Sequence, residues 1–203
     1  MMATTHALVG IAIAAAAAVV SPEVSAIAVV AAAAGGLFPD LDLYAGHRKT
    51  LHFPVYASLA ALPAIGIALL DPTTISVAGA LFLAAAAAHA VMDALGGGLE
   101  LRPWRGTSDR AVYSHFHGRW MPPRRLIRYD GAPEDLGLAT LLATPALVVF
   151  QSPVTGGVLG LLAVSAIYVL LRKPMVAVAE WLVDRLPGTV RTRLPERFLA
   201  DVR

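Results

Sequence analysis

Seven side chains that can bind a metal ion stand at the ends of apolar stretches in the first half of this chain. They are His6, Asp40, Asp42, His47, His52, His89 and Asp93. Imidazole and carboxylate together suit zinc best and also manganese, iron or nickel, and the chain has no cysteine to add a thiolate. Ionisable groups are costly at such positions and usually functional, so the set predicts a metal site. If the apolar stretches cross a membrane, simple alternation brings all seven side chains to one face.

Two of the spacings are informative by themselves. His89 and Asp93 are four residues apart, so on a helix they share one face and can share a metal ion. The alternative is a histidine bonded to a backbone carbonyl, with Asp93 capping the helix. Asp40 and Asp42 alternate, so in an extended segment both carboxylates face the same way, although a lone pair of this kind also occurs in solvated turns.

The other histidines are less decisive. His47 and His52 are five residues apart, so a loop must present at least one of them. His6 alone is also typical of an exposed or capping residue. His115 and His117 fit one face of a strand, and we expect a role in loop structure rather than metal ligation. Seven candidate ligands exceed the needs of one ion, so they predict either two metals or one metal with supporting groups.

The composition indicates a membrane protein. The chain has 203 residues, of which 57% are hydrophobic and 15% charged. Its mean hydropathy is +0.67. Six uncharged stretches predict an all-α, polytopic protein of about six transmembrane helices, and they cover residues 7–20, 24–38, 53–70, 73–92, 136–150 and 154–171. The first two are short, and a buried soluble hairpin or, for the first alone, a cleaved signal peptide are the alternatives.

Six spans place the termini and the candidate ligands on the same side of the membrane. All sixteen lysine and arginine residues then fall on that side as well. Positive charge marks the cytoplasmic face, so the sequence predicts a multi-pass protein of the cell membrane with a cytoplasmic site.

The remaining segments are expected to lie at this interface. We predict one integral-membrane domain over residues 1–186, which includes a cytoplasmic loop over 94–135, and a basic tail over 187–203. Within the loop, residues 111–116 alternate like a strand and can pair with 126–129 in a small β-hairpin. Residues 174–186 are amphipathic and predict an interfacial helix.

The predicted ligands and the motifs around them resemble those of the LexA-regulated, inner-membrane, metal-dependent hydrolases of the YdjM-like family, over about residues 5–105. One departure is that threonine occupies position 50 and leucine position 51, which separates the family's usual Thr-His pair. The resemblance implies a metal more strongly than it implies a reaction. The matching elements are Thr5-His6, Pro39-Asp40-Leu41-Asp42, His47-Arg48-Lys49-Thr50-Leu51-His52, His89 to Asp93, and Gly96 with Pro103-Trp104.

The function expected is metal-dependent hydrolysis of a lipid-like ester or phosphoester at the cytoplasmic interface. Of Asp40 and Asp42, whichever is not a ligand can serve as general base. Arg48, Arg102 and Arg105 can bind an anionic head group, or they can simply orient the protein and contact lipid. Alternatives are a non-catalytic scaffold that uses a structural metal and, because the apolar stretches carry few polar groups, less readily a transporter. The expected partners are membrane lipids and an amphiphilic or phosphorylated substrate, and no nucleic-acid-reading element is found.

Overall fold

Helices form most of the structure. The computed structural model describes residues 1–21 and 24–191. In this part of the chain the six long helices are α1 (Ala3–Val20), α2 (Ala26–Leu37), α4 (Pro54–Leu70), α5 (Thr74–Leu95), α6 (Pro133–Val149) and α7 (Val154–Arg185), and the two short ones are α3 (Leu43–Gly46) and α8 (Gly188–Arg191). Two 3₁₀ turns (Phe38–Asp42 and Pro103–Arg105) and two short strands (β1, Val112–Ser114, and β2, Arg119–Met121) complete it. The helical fold class is confirmed.

Local sequence signals set where the helices begin. Proline stands in the first turn of α4 and of α6, where its missing N–H costs nothing. The Ser25 hydroxyl accepts the backbone N–H of Ala28 at the start of α2. Thr73 and Ser76 form a reciprocal capping box at the start of α5.

The bundle is built with small side chains inside and large apolar side chains outside. α1 packs against α2, α5 and α6, while α2 and α4 both pack against α5. Buried alanines such as Ala14, Ala32 and Ala143 fill the contacts. In contrast, Leu70 and Ile75 are 90% and 85% exposed. Small residues at helix contacts and large apolar residues outside are typical of helices that pack within lipid.

Within residues 1–21 and 24–191, three helices are long and apolar enough to cross a membrane: α1, α5 and α7. The expectation of six spans is not supported. At about 1.5 Å per residue, the 12 residues of α2 cover roughly 18 Å, well short of a hydrocarbon core of about 30 Å. α4 and α6 have 17 residues each. The apolar stretches of the sequence are therefore helices, but half of them are shorter than a full span.

α1, α2, α4 and α5 alternate in direction. Ser21, Val24, Leu69 and Pro72 line one pocket, so the α1–α2 and α4–α5 connections lie together at one end of the bundle. The predicted ligands lie at the opposite end.

The segment after the last apolar stretch is not a separate amphipathic helix, contrary to expectation. α7 runs without interruption through Pro174 to Arg185. Leu171, Arg172 and Lys173 are good helix formers, so nothing ends the helix before the proline, and the helix continues although an interior proline removes a backbone hydrogen bond and crowds the preceding turn. Most of the predicted basic tail, residues 192–203, lies outside the described residues.

A β-hairpin is present, but its second strand is not the predicted one. β1 pairs antiparallel with β2, with Tyr113 opposite Trp120. Proline at 122 and 123 cannot donate to a ladder, so β2 ends before it. Residues 124–126 instead donate their backbone N–H groups to the carbonyls of residues 94–96 at the end of α5. These bonds satisfy carbonyls that a helix end leaves free.

Candidate metal centre

Four of the predicted ligands converge where α2 and α5 end and α4 begins. Each offers one nitrogen or oxygen atom, and these atoms all lie within 4.8 Å of one another. The four residues are Asp40, His52, His89 and Asp93, and we call them the ligand cluster. Three are buried, while Asp40 keeps 27% of its side chain exposed. The ligand cluster can hold a metal ion.

Helix packing brings these side chains together. His89 and Asp93 lie one turn apart in the last part of α5, as their spacing predicted. Asp40 lies in the 3₁₀ turn that follows α2, and His52 lies just before α4. Because α2 and α4 both pack against α5, the end of one and the start of the other meet the same part of α5.

The distances between the donor atoms fit a single ion. His52 Nε2 lies 3.1 Å from both His89 Nε2 and Asp93 Oδ2. Asp40 Oδ1 lies 3.5 Å from His89 Nε2 and 3.9 Å from His52 Nε2. Ligands about 2.0–2.1 Å from a tetrahedral zinc ion are separated by roughly 3.3 Å. Two imidazoles and two carboxylates at these separations therefore match a tetrahedral site.

The protonation of the two imidazoles also favours a cation. His89 Nδ1 lies 2.6 Å from the carbonyl oxygen of Gly36, and His52 Nδ1 lies 3.0 Å from Asp42 Oδ2. A carbonyl and an ionised carboxylate only accept, so both Nδ1 atoms carry a proton. In the neutral rings the Nε2 lone pairs then point at each other across 3.1 Å. A metal ion between them satisfies both, and these Nδ1–H donations are the usual support for metal-binding histidines.

Asp42 lies outside the ligand cluster, and its carboxylate binds the backbone of the loop over residues 47–52. Its side chain is fully buried. Burial raises the pKa of Asp42, but hydrogen bonds from Leu51 and His52 outweigh it and keep the pKa below its usual value. The donors to its two oxygens are His47 Nδ1, the backbone N–H groups of Arg48, Lys49 and Leu51, and His52 Nδ1.

Asp40 differs from Asp42 because it also borders open space. Burial raises the pKa of the Asp40 carboxyl, but when His89 is protonated on both ring nitrogens its hydrogen bond and its charge outweigh burial and lower the pKa to about 2. Asp40 is therefore ionised at neutral pH and can act as a metal ligand.

His6 lies beside the ligand cluster rather than within it. Its ring stacks on His89, with 3.7 Å between the ring centroids. Its Nε2 lies 3.2 Å from Asp93 Oδ1, which the amino group of Met1 also contacts. His6 Nδ1 is buried and has no hydrogen-bond partner among the described residues.

His47 and Arg48 approach the site from the loop. His47 is 30% exposed and bonds to Asp42, so it does not join the ligand cluster. Burial, together with the charge of Arg48, lowers the pKa of His47. Arg48 Nε lies 3.3 Å from Asp93 Oδ2, and its Nη1 donates to the carbonyl oxygen of Gly97 at 2.8 Å.

A cavity of about 500 Å³ opens beside the ligand cluster. Asp40, His47 and Arg48 line the near end, and Leu43, Leu99 and Leu101 form much of the wall. Asp130, Tyr168 and Arg172 line the far end. Neither Arg102 nor Arg105 lines the cavity: Arg102 pairs with Glu180, and Arg105 is exposed.

His115 and His117 take part in loop structure, as predicted. His115 Nε2 donates to the carbonyl oxygen of Lys49 at 2.7 Å, and His117 Nδ1 lies 2.8 Å from the Ser114 hydroxyl. The Tyr113 N–H donates to the carbonyl oxygen of Arg48. The hairpin therefore contacts and supports the loop that carries Arg48 and Lys49.

The sequence did not predict two groups of atoms that form part of the site. One is the Gly36 carbonyl that orients His89. A Cβ at Gly36 would lie 2.1 Å from the His6 carbonyl oxygen, so only glycine allows α1 and α2 to approach so closely. The paired glycines ahead of Asp40 were an available signal. The other is the far end of the cavity, because nothing in the sequence relates Tyr168 to the first half of the chain.

No family model, no curated protein and no solved structure matches this chain. The resemblance to the YdjM-like hydrolases therefore depends on the quoted motifs alone.

Proposed function

We propose that this protein is a membrane-embedded, metal-dependent hydrolase that acts on a lipid-like ester or phosphoester at the cytoplasmic interface. The observation that carries the proposal is the ligand cluster, in which two imidazole Nε2 atoms face each other within reach of two carboxylates. A divalent metal held there would polarise the scissile group and lower the pKa of a bound water toward about 7.

Asp40 and Asp42 have different roles in the proposed reaction. Asp40 belongs to the cluster and also lines the cavity, so it is the ligand beside which a substrate and an attacking water would lie. Asp42 fixes His52 and the backbone of the following loop, and it does not line the cavity. We therefore assign the role of cavity-facing metal ligand to Asp40 and a positioning role to Asp42, and we assign the expected general-base role to neither carboxylate.

The surroundings favour an amphiphilic substrate. The bundle exposes large apolar side chains along its helices, as expected for contact with lipid. The site lies at the end where α5 leaves its apolar stretch, and leucines line part of the cavity. A substrate that rests in the membrane with its polar group at the surface can reach this position, and zinc is the metal we expect from the donor set.

A metal-stabilised scaffold is the second candidate. The nearly complete burial of His52, His89 and Asp93 favours it, because structural metal sites are closed. The partial exposure of Asp40 instead supports the enzyme, since a catalytic site must keep one side open to substrate.

Metal analysis of the purified protein is the first test. We expect about one equivalent of a divalent metal in the wild type and a loss of most of it in His52→Ala, His89→Ala and Asp93→Ala, because each leaves a buried polar gap in the site. Asp71→Ala at the opposite end of the bundle is the matched control and should keep its metal. Full occupancy in the His89 and Asp93 variants would remove the basis of the proposal.

Hydrolysis assays then separate the enzyme from the scaffold. The metal-loaded wild type should hydrolyse micellar ester or phosphoester substrates, and removal of the metal by a chelator should abolish the activity. A protein that binds metal stoichiometrically but hydrolyses neither substrate class is a scaffold.

A further inference from the structure

We infer that Arg48 forms an anion-binding subsite beside the ligand cluster, and that the ligand is a phosphate ester whose organic part occupies the adjoining cavity. The inference rests on the proposed function and narrows its substrate to the phosphoester class. Of the three arginines that the sequence offered for this role, only Arg48 lines the cavity.

Arg48 is a buried cation with unused hydrogen-bonding capacity. Its side chain is 8% exposed, and its Nη1 donates to Gly97. Its Nε is buried and makes no hydrogen bond, although Asp93 Oδ2 lies 3.3 Å away. Buried cations are normally paired and hydrogen-bonded, and Asp93 is the partner of Arg48 here. If Asp93 binds a metal ion, the guanidinium needs another anion, which the cavity can supply.

The loop holds Arg48 in position before any ligand arrives. Its backbone is in the left-handed region, with φ of 58°, which is costly for a residue that has a side chain. Asp42 accepts its backbone N–H, and Tyr113 donates to its carbonyl oxygen. These bonds fix the backbone on both sides, and the contacts of the side chain with Gly97 and Asp93 hold the guanidinium, so little side-chain entropy remains to be lost on binding.

The charges near the site leave Arg48 without a counterion once a divalent metal is bound. Asp40 and Asp93 would together neutralise a divalent ion. Asp42 and Glu100 are further carboxylates near the site. The two oxygens of Asp42 already accept five hydrogen bonds from the loop, and Glu100 lines the cavity but forms no ion pair with Arg48 in the described part of the chain. An anion that contacts both the metal and Arg48 completes the charge balance, and arginine's planar fork suits a phosphoryl group.

The cavity indicates that the anion carries an organic substituent. A volume of about 500 Å³ is within the usual range for small-molecule sites and far exceeds the needs of a phosphate ion. Three leucines and Glu100 belong to the lining, as do Arg172 and its partner Asp130, which also accepts the Tyr168 hydroxyl. The walls therefore suit a phosphate ester with both apolar and polar parts.

Inorganic phosphate is the first probe. The melting temperature of the metal-loaded wild type in detergent should rise with phosphate concentration and so report a dissociation constant. Arg48→Gln should keep its metal and bind phosphate at least about tenfold more weakly, as expected for loss of a charge-assisted hydrogen bond. The exposed Arg105→Gln is the control and should change the affinity less than about twofold.

Three results would overturn the inference. They are a wild type that phosphate does not stabilise, an Arg48→Gln variant that keeps its metal and binds phosphate as the wild type does, and loss of metal from both Arg48→Gln and Arg48→Lys. The last would make Arg48 part of the metal site's framework. Absence of hydrolysis with intact, Arg48-dependent phosphate binding would instead contradict the proposed function.

Two further ligands identify the source of the phosphate. Glycerol phosphate represents a soluble ester, and phosphatidic acid in mixed micelles represents a lipid head group. Competition by both supports the phosphate-ester class, and stronger competition by the micellar ligand assigns the cavity to a lipid. Failure of both, with phosphate still bound, would overturn the part of the inference that concerns the organic substituent.

Discussion

At the scale of single residues, two aspartates with the same side chain have different surroundings. Asp40 lies 3.5 Å from His89 Nε2 and borders the cavity. Asp42 is fully buried and accepts hydrogen bonds from His52 and from three backbone N–H groups. Their roles differ because the 3₁₀ turn directs one carboxylate toward the ligand cluster and the other toward the loop.

Exchange of each carboxylate for an amide should separate these roles. Asp40→Asn should lose most of the bound metal, because a neutral amide replaces an anionic ligand. Asp42→Asn should keep a metal site with affinity lowered by about 10- to 100-fold, as for other residues that orient a metal-binding histidine. Metal titration by calorimetry checks both. Equal metal affinity in the two variants would contradict the assignment.

At the scale of the elements, the ligand cluster depends on how closely the helices approach. A Cβ at Gly10 of α1 would lie 2.1 Å from the Ala32 carbonyl oxygen of α2. The nearest atom is backbone, so the helices themselves would have to move. Because His6 belongs to α1 and Asp40 follows α2, a wider separation there would also disturb the site.

Alanine at Gly10 should therefore destabilise the protein, by about 1–3 kcal/mol or more as in other overpacked interiors. Gly66→Ala is the matched control, since Gly66 is also within a helix but has no neighbour within 4 Å of an added Cβ. It should be neutral or stabilising by up to about 1 kcal/mol, because alanine favours the helix. Thermal unfolding in detergent measures both. Equal melting temperatures would show that the α1–α2 contact is not tight.

The hairpin is the other element that affects the site, and it does so without contributing a ligand. His115 and His117 bond to Lys49 and Ser114. Their double replacement by alanine should leave the metal content near that of the wild type, and it should loosen the loop that carries Arg48. Metal analysis checks the first expectation. Loss of a full equivalent would make one of these histidines a ligand.

At the scale of the whole molecule, the bundle has two unlike ends. The ligand cluster, the cavity and the hairpin lie at one end. The connections near Ser21 and Pro72 lie at the other, where they line a mostly apolar pocket. In the described part of the chain, three helices are long enough to cross a membrane, and the shorter apolar helices pack beside them. We propose that the end with the site faces the cytoplasm, because the basic residues of the long loop are on that side.

Cysteine labelling tests this orientation, and the chain has no native cysteine to interfere. Cysteines at Ser21, Asp71 and Ser152 should react with a membrane-impermeant thiol reagent in intact cells. Cysteines at Ala45 and Thr107 should react only after the cells are broken. Reaction of the Ala45 variant in intact cells would place the site outside and overturn the proposed orientation.

The sequence by itself determined the helical fold class and the pairing of His89 with Asp93. Both follow from local rules, since apolar stretches form helices and residues four apart share a helix face. It also indicated which other residues to consider as ligands. It did not distinguish Asp40 from Asp42 or exclude His47, because those outcomes depend on how a 3₁₀ turn and a loop are directed.

Only the tertiary structure decided the contacts between distant segments. The Gly36 carbonyl that orients His89, the burial of Arg48 beside Asp93, and the far wall of the cavity on α7 all join residues far apart in the chain. The position of the second hairpin strand and the lengths of the helices also became known only from the structure. Such features depend on packing between helices, and hydrophobic patterns specify that a helix is buried without specifying what it contacts.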